Sequence, residues 1–250
     1  MNKITIVGAG NLGTHLANVL LKNGYTIVEI ISQSENSAKN LALSLNTKWK
    51  KNLNHLDDTD LIIVCVPDDK IYSVIEKIPN IPIVHTSGST SIDIFKDKFS
   101  EYGVIYPIQT FNKNIQINFS EIPLCIEGNC KKFERKIFKL SNDISESVQL
   151  LDSKSREYLH IAAIFACNFT NHLFSISEDM LNKHNLSFDI IIPLIKKTIE
   201  KLETGNIKNL QTGPAKRKDI KVIKKHLMKI KNNDYKELYK IISNQIMKNE

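Results

Sequence analysis

The sequence predicts an α/β fold, in which a parallel sheet covered by helices is followed by an all-helical C-terminal domain. Three observations predict this. From residue 4 to residue 151, short apolar runs alternate with segments of helical periodicity. Those runs are rich in Val and Ile without polar alternation, as in strands buried on both faces of a parallel sheet. After Asp152 no run of this kind recurs, so we expect domains at 1–152 and 153–250.

The individual elements follow from these patterns. Strands are predicted at 4–7, 26–31, 60–66, 81–85 and 103–106, with two weaker ones at 123–126 and 148–151. Helices are predicted at 11–21, 37–45 and 131–140 in the sheet domain. In the C-terminal domain they are predicted at 154–182, 188–202, 218–231 and 234–247, with a possible kink at Pro193 in the second of these.

Composition excludes several classes of protein. Hydrophobic residues make up 42% of the 250 residues, which is typical of a globular chain rather than a disordered one. The net charge of +7 suits either an anionic partner or lysines scattered over solvated faces. No arginine-rich or aromatic-interleaved stripe accompanies it, so we favour scattered lysines and expect no nucleic acid.

Cysteine usage and hydropathy bear on location. The four cysteines form no C-x-x-C pair and no Cys/His cluster of zinc spacing, which predicts no metal site and a reducing compartment. We expect no signal peptide, because glycines interrupt the first apolar run early. No apolar stretch reaches the ~18 residues that span a bilayer. The chain is therefore expected in the cytoplasm, away from membranes.

A glycine-rich loop follows the first strand and opens the first helix. It reads G-x-G-x-x-G, with Gly8, Gly10 and Gly13 as its glycines and Asn11 and Leu12 inside it. In this setting the glycines permit a tight turn, close approach of a pyrophosphate and helix–strand packing. The sequence therefore predicts a Rossmann domain that binds a dinucleotide. The alternative is a glycine-rich turn without a ligand.

The residues after the second strand bear on the choice between NAD and NADP. An acidic side chain there would hold the ribose 2′-hydroxyl. This chain has Ser32, Gln33 and Ser34 instead, and its nearest acid, Glu29, lies inside the strand. Hydroxyl and amide groups can donate to a 2′-phosphate, so NADP is favoured over NAD.

Two further loops are expected to line the same cleft, because ligands bind at the carboxyl ends of parallel strands. The first contains Val66, Pro67 and Asp68. The second contains Thr86, Ser87 and Gly88, which are suited to contact the nicotinamide ribose, although a simple turn would read the same way.

Segments along the chain resemble a bacterial Rossmann-like family whose C-terminal half is a domain of unknown function. They comprise residues 8–13, 65–69, 85–88, 106–111, 160–171 and 212–217. The resemblance places this family in the wider group of 6-phosphogluconate dehydrogenase-like reductases. That group includes pyrroline-5-carboxylate reductase, ketopantoate reductase, prephenate dehydrogenase and the deazaflavin-dependent NADP reductases. The resemblance implies NADP binding, a helical C-terminal domain that often dimerises, and an active site in the interdomain cleft.

The chain departs from its relatives at three positions. Tyr106 stands where relatives usually have a histidine before proline, and Gln33 stands where many have an arginine for the 2′-phosphate. Ile164 stands where several relatives use a lysine four residues before an asparagine. The resemblance therefore implies that the lysine mechanism is not available at that position.

The long predicted helix carries the candidate catalytic residues. Residues 161–174 are apolar nearly all round, which predicts a buried helix. His160, Asn168, Asn171 and His172 interrupt this segment. Either asparagine could hold the substrate or the nicotinamide carboxamide, and either histidine could donate the proton. The alternative is a polar network between helices or across a dimer interface.

A second anion site is predicted near residues 212–219. Gly213 and Pro214 read as a helix start, with basic residues in the first turns. Thr212, Gly213 and Arg217 would then bind a carboxylate or phosphate at a helix N-terminus. The alternative is a solvated basic turn.

Together these features predict an NADP(H)-dependent oxidoreductase. It would act by hydride transfer on a small anionic carbonyl or imine, as a homodimer. The alternative is a catalytically inactive protein that senses NADP(H) or a metabolite.

Overall fold

The structure, a computed structural model, describes residues 1–248. Its strands are β1 Lys3–Val7, β2 Thr26–Ile31, β3 Lys48–Lys50, β4 Leu61–Val64, β5 Ile83–His85, β6 Tyr102–Pro107, β7 Leu124–Gly128 and β8 Val148–Leu150. Its α-helices are α1 Asn11–Lys22, α2 Glu35–Ser44, α3 Asp68–Ile75, α4 Lys131–Asn142, α5 Ser153–Ala163, α6 Thr170–Asn182, α7 Ile192–Glu200, α8 Ile220–Lys229 and α9 Asn233–Lys248. Every predicted strand is present.

The strands form one eight-stranded sheet in the order β3-β2-β1-β4-β5-β6-β7-β8. The order reverses between β1 and β4, and ligands of open α/β sheets bind outside the carboxyl ends of the strands at such a point. The predicted α/β class with a Rossmann-type sheet is confirmed. The prediction of a wholly parallel sheet is wrong at one strand pair, because β7 runs antiparallel to β6.

Two apolar layers hold the sheet. One packs α1, α2 and α4 against it and includes Leu16, Leu41 and Ile137, which are buried. The other packs α3 and the short helix Ile92–Phe95 on the opposite face and includes Ile71. Since both faces are covered, the central strands bury every side chain, and their sequences show no alternation.

Two elements escaped prediction. β3 has only three residues and pairs with β2 at the edge of the sheet, where its two lysines leave no apolar run to recognise. α3 begins directly after Pro67, and its first turn carries Asp68 and Asp69. Acidic residues in a first helical turn favour that helix through its dipole.

The helices after residue 152 differ from prediction at two places. Pro193 does not kink a long helix, because it occupies the first turn of α7, where a missing N–H costs nothing. Residues 213–218 form a turn and not the start of a helix. Lys218 has a φ of +53°, which ends that turn, and Asp219 then caps α8 by accepting from the N–H of Val222.

The segment Ile164–Phe169 between α5 and α6 is a π-helix. Single π-turns within α-helices are rare and often accompany functional sites. Because its hydrogen-bond period differs from that of an α-helix, side chains before and after it do not follow one regular α-helical rotation.

Contacts divide the chain into two compact units, Met1–Ala166 and Cys167–Glu250. The first unit contains the whole sheet together with α5. The predicted boundary at 152/153 marks the change from strands to helices, and it remains a prediction as a domain boundary.

The predicted burial of residues 161–174 is wrong for the single chain. In the single chain Phe165 is 66% exposed and Phe169 is 50% exposed. By length and composition, Ser153–Asn182 could also cross a membrane, contrary to expectation. One helix of this kind is weak grounds for a membrane span, because core helices of soluble proteins meet the same criterion.

Candidate active site

The turn between β1 and α1 presents helix amides that no side chain caps. Gly8 has a φ of +112°, and a Cβ there would lie 2.2 Å from the carbonyl oxygen of Cys65. A Cβ on Gly13 would lie 2.0 Å from the Gly8 oxygen. Gly10 precedes α1 without a side-chain cap, and a Cβ on it would meet no atom within 4 Å. This turn therefore has the close packing and the free N–H groups that a pyrophosphate requires.

A cavity of about 360 Å³ lies against this turn. It is bordered by the carboxyl ends of β1, β2 and β4 and by the first turns of α3. Its wall includes seven residues predicted to bind the cofactor, namely Gly8, Gly10, Ser32, Gln33, Ser34, Val66 and Pro67. Asn11 and Leu12 are not in this wall. Asn11 instead accepts from the N–H of Lys113, and Leu12 packs on the core.

The cavity wall is cationic. Lys51, Lys70 and Lys77 line it, and no Asp or Glu does. Lys70 is paired with Asp69 at 2.9 Å, whereas Lys51 has no ion pair among residues 1–248. Lys51 follows β3 and shares the wall with Ser32, Gln33 and Ser34. Lys51 thus places a positive charge in the same wall as Gln33, the position at which many relatives have an arginine.

The single acid of β2 is turned away from this cavity. Glu29 is completely buried, and its carboxylate lies 2.6 Å from the Lys50 ammonium. Its other oxygen accepts from the N–H of Asp57 at 3.0 Å. Lys48 and Lys50 donate to the Asp57 carboxylate and lower its pKa to about 2. Glu29 is therefore committed to a network of its own and cannot bind a ribose.

The loops after β4 and β5 are tied together. Ser89 donates from its hydroxyl to the carboxylate of Asp68. The Ser87 hydroxyl accepts from the N–H groups of Ser89 and Thr90 at 3.1 and 2.9 Å. Thr86 donates to the Val64 carbonyl at 3.2 Å. Thr86 and Ser87 are buried, so these hydroxyls hold the loops in place, and a contact between them and the cofactor remains a prediction.

His85 supports the second loop from inside. Its Nδ1 accepts from the N–H of Ser87 at 3.1 Å, and its ring stacks on Phe95. Burial, with the nearby Arg156 charge, lowers the pKa of His85 to about 3. The imidazole is therefore neutral at physiological pH and does not titrate there.

Beyond these loops, Tyr106 on β6 meets His160 on α5. The Tyr106 hydroxyl lies 3.0 Å from the His160 Nδ1 atom, and the rings meet edge to face. The predicted candidate His160 is thus half-buried and has a tyrosine partner in the same unit.

Arg156, one turn before His160, is almost wholly buried. It donates to Glu127 at 2.5 Å and to the carbonyl of Thr90 at 2.6 Å. Ser153 donates to the same carboxylate at 2.7 Å. These bonds join α5 to β7 and to the loop after β5, and they fix the position of His160.

The other candidates lie in the second unit. Asn168, Asn171 and His172 are exposed, with Asn168 in the π-helix. Thr212 borders a separate apolar cavity of about 680 Å³, while Gly213 and Arg217 lie in the turn before α8. Since no helix begins there, the predicted helix start is wrong, whereas binding of an anion by these residues remains a prediction. Within residues 1–248 no group of His, Cys, Asp or Glu could hold a metal.

Two family descriptions match the chain. Residues 3–94 match "NADP oxidoreductase coenzyme F420-dependent", and residues 122–246 match "Domain of unknown function (DUF2520)". A protein of Bacteroides fragilis, provisionally described as an NADP oxidoreductase, is 35% identical with a TM-score of 0.91. The match covers 99% of this chain and 98% of that one.

The chain belongs to the NADP oxidoreductase family that carries a DUF2520 domain.

More distant structures share the fold. The 1-pyrroline-5-carboxylate reductase of Streptococcus pyogenes is 15% identical with a TM-score of 0.64, over 98% of both chains. A reductive aminase of Aspergillus terreus, solved with NADPH and ethyl-5-oxohexanoate, is 15% identical with a TM-score of 0.67. That match covers 82% of this chain and 74% of the aminase. No curated protein matches.

Sequence reasoning missed three residues of this NADP oxidoreductase-like site. Lys51 was missed because β3, which it follows, was not recognised. Arg156 was missed because its sequence position marks it only as one more basic residue on a helix. Tyr106 was noted only as a departure from relatives. Its pairing with His160 depends on a tertiary contact that no spacing in the sequence encodes.

Proposed function

We propose that this chain is an NADP(H)-dependent oxidoreductase that acts by hydride transfer on a small anionic carbonyl or imine. The observation that carries the proposal is the uncapped start of α1 beside a cavity lined by lysines and by no carboxylate. Bound NADPH would supply the hydride. The turn of Gly8 and Gly10 would hold its pyrophosphate.

Isothermal titration calorimetry with NADPH, NADP⁺, NADH and NAD⁺ tests this proposal. We expect saturable binding, tighter for the phosphorylated pair. If none of the four dinucleotides bound, the proposal would be overturned.

Lys51 is the residue that we expect to select NADP. Replacing it (Lys51→Ala) should weaken NADPH binding about tenfold, or about 1.4 kcal/mol, and leave NADH binding within twofold. An ammonium close to the 2′-phosphate acts only on the dinucleotide that carries this phosphate. Calorimetric titration of both ligands measures the difference.

The matched control is Lys48→Ala. Lys48 begins β3, the strand that Lys51 follows, and its loss changes the net charge equally. It is outside the cavity wall and pairs with Asp57. We expect both affinities to be unchanged. Equal losses for NADPH and NADH in Lys51→Ala would contradict a role in recognising the 2′-phosphate.

The family leaves the substrate open, and a small anionic carbonyl or imine is part of our proposal. An anionic group would be bound by Thr212, Gly213 and Arg217, and Asn168, Asn171 or His172 would contact the substrate or the carboxamide. A substrate-dependent loss of NADPH absorbance, over a panel of keto acids with and without ammonia, tests this. A protein that binds NADPH but turns over no member of the panel would favour the alternative of a sensor.

We also propose that the chain is a cytoplasmic homodimer. All four cysteines are free thiols, as in proteins of reducing compartments. Large apolar side chains stand exposed along 153–182, among them Ile161 and Phe165 in the first unit and Phe169 and Leu173 in the second. Exposed apolar side chains in this number are typical of an interface, and a second copy of the chain would cover them by symmetry.

Phe165→Glu should convert the dimer to a monomer, because a carboxylate would be buried without a partner at the interface. Size-exclusion chromatography with light scattering measures the mass. Leu43→Glu is the matched control, since Leu43 is 69% exposed on α2 and is not one of the exposed apolar residues along 153–182. A wild-type protein that is wholly monomeric would contradict the proposed homodimer.

A further inference from the structure

Tyr106 and His160 form a polar pair where β6 ends. The Tyr106 Oη atom and the His160 Nδ1 atom are 3.0 Å apart, and the ring planes cross at 81°. Both residues are half-buried, so each keeps part of its surface open.

Close packing fixes the pair. A Cβ on Gly88 would lie 2.7 Å from the His160 ring and 2.8 Å from the Tyr106 Cζ atom. The backbone of the loop after β5 therefore packs directly against both rings. From the other side, Arg156 anchors α5 through its bonds to Glu127 and Thr90.

The same loop connects the pair to the dinucleotide cavity. Val66 and Pro67 are in the cavity wall, and the next residue, Asp68, accepts from the hydroxyl of Ser89. Ser89 adjoins Gly88, on which the pair rests. The pair thus lies along the edge of the sheet where a dinucleotide held by Gly8 and Gly10 would extend its reactive end.

We propose that Tyr106 donates the proton that reduction requires, and that His160 is the positioning residue that reloads it. The proposal rests on the proposed function. When the hydride adds to the substrate carbon, the π electrons of C=O or C=N move onto the heteroatom. The heteroatom takes the proton from Tyr106 Oη, the tyrosine oxygen takes the proton from His160 Nδ1, and His160 recovers a proton from water.

The surroundings suit this role. Burial, together with Cys125 on β7 and Asp68 on α3, raises the pKa of Tyr106, while Arg156 on α5 opposes that shift. The phenol therefore keeps its proton at neutral pH. A tyrosine oxygen can accept from His160 while its own proton stays available to a ligand.

The test begins with the His160 tautomer, which can be measured without turnover. Nitrogen NMR of the imidazoles, with NADP⁺ present and His160→Gln to assign the signal, reports which ring nitrogen carries hydrogen. We expect Nδ1 to be protonated, because it must donate to the Tyr106 oxygen. An unprotonated Nδ1 would show the tyrosine proton directed at the histidine, and this outcome would overturn the relay.

Turnover gives the second readout, with NADPH and the panel of keto acids with and without ammonia. Tyr106→Phe should lower kcat about a hundredfold or more and leave the NADPH affinity within twofold. Tyr106→His should restore part of the rate, because it again places a proton donor there. In His160→Gln the fall of kcat with rising pH should be displaced, because the group that returns the proton to Tyr106 has changed.

A matched control exists in the second unit. Tyr239 and His226 meet at 2.8 Å with nearly the same edge-to-face geometry. Tyr239→Phe removes an equivalent hydrogen bond, and we expect unchanged kcat. An equal loss in Tyr106→Phe and Tyr239→Phe would overturn the proposal. Failure of the wild type to bind NADPH would instead defeat the proposed function.

Discussion

Replacing Gly10 by valine is expected to weaken NADPH binding about a hundredfold, which corresponds to about 2.7 kcal/mol, without lowering the free energy of unfolding. The backbone of Gly10 is extended, with a φ of −81°, so valine can adopt it without strain. A side chain there meets no protein atom within 4 Å, but it would occupy the space through which a pyrophosphate approaches the amides of α1. Titration calorimetry and urea unfolding measure the two quantities.

Two controls sharpen the Gly10 experiment. Adenosine 2′-monophosphate has no pyrophosphate, so its weaker binding should change little in Gly10→Val. Gly8→Ala should behave in the opposite way and destabilise the fold, because its Cβ would clash with the Cys65 carbonyl at a positive φ. If Gly10→Val bound NADPH within twofold of wild type, the phosphates would have to lie elsewhere.

Arg156→Met is expected to lower the free energy of unfolding by about 3–5 kcal/mol, the largest effect on stability that we predict. Arg156 is 1% exposed, and its guanidinium donates to Glu127, Thr90 and Ser153. Removing Arg156 leaves the Glu127 carboxylate, which is only 18% exposed, without its positive partner. Urea unfolding followed by circular dichroism measures the loss.

Arg135→Met is the control for charge and length, because Arg135 is exposed on α4. It should change the free energy of unfolding by no more than about 0.5 kcal/mol. The double variant Arg156→Met with Glu127→Leu should recover part of the loss, since a buried ion pair can be replaced by apolar packing. A loss under about 1 kcal/mol in Arg156→Met would mean that α5 is held mainly by other contacts.

The sheet could be predicted from the sequence because burial on both faces leaves a signal in each strand. Strands such as Leu61–Val64 consist of four buried apolar residues, and no other arrangement accounts for such runs at regular intervals. The direction of β7 could not be predicted. Strand direction depends on how the chain returns between β6 and β7, and those intervening residues carry no periodicity.

Only the part of the candidate site that depends on backbone geometry, the glycine turn, could be predicted from the sequence. Gly8, Gly10 and Gly13 identify the dinucleotide turn. A Cβ on Gly8 or Gly13 would clash with backbone, whereas a Cβ on Gly10 would fill only the open space beside the start of α1. Lys51, Arg156 and Tyr106 act through side chains brought together from distant segments. The π-helix at Ile164–Phe169 likewise has no sequence signature, since the apolar residues that fill it suit a regular helix equally well.

The buried Glu29 restricts how the coenzyme preference of this protein can change. A carboxylate on β2 is present, but its two oxygens are already used by Lys50 and the Asp57 amide. Redirecting it to a ribose would break its ion pair with Lys50 and its hydrogen bond to the Asp57 amide. Under the proposed preference for NADP, a change to NAD would therefore need a new acid on the surface loop, at Ser32 or Gln33, together with loss of the Lys51 charge. Substitutions at Glu29 alone should lower the free energy of unfolding without improving NAD binding.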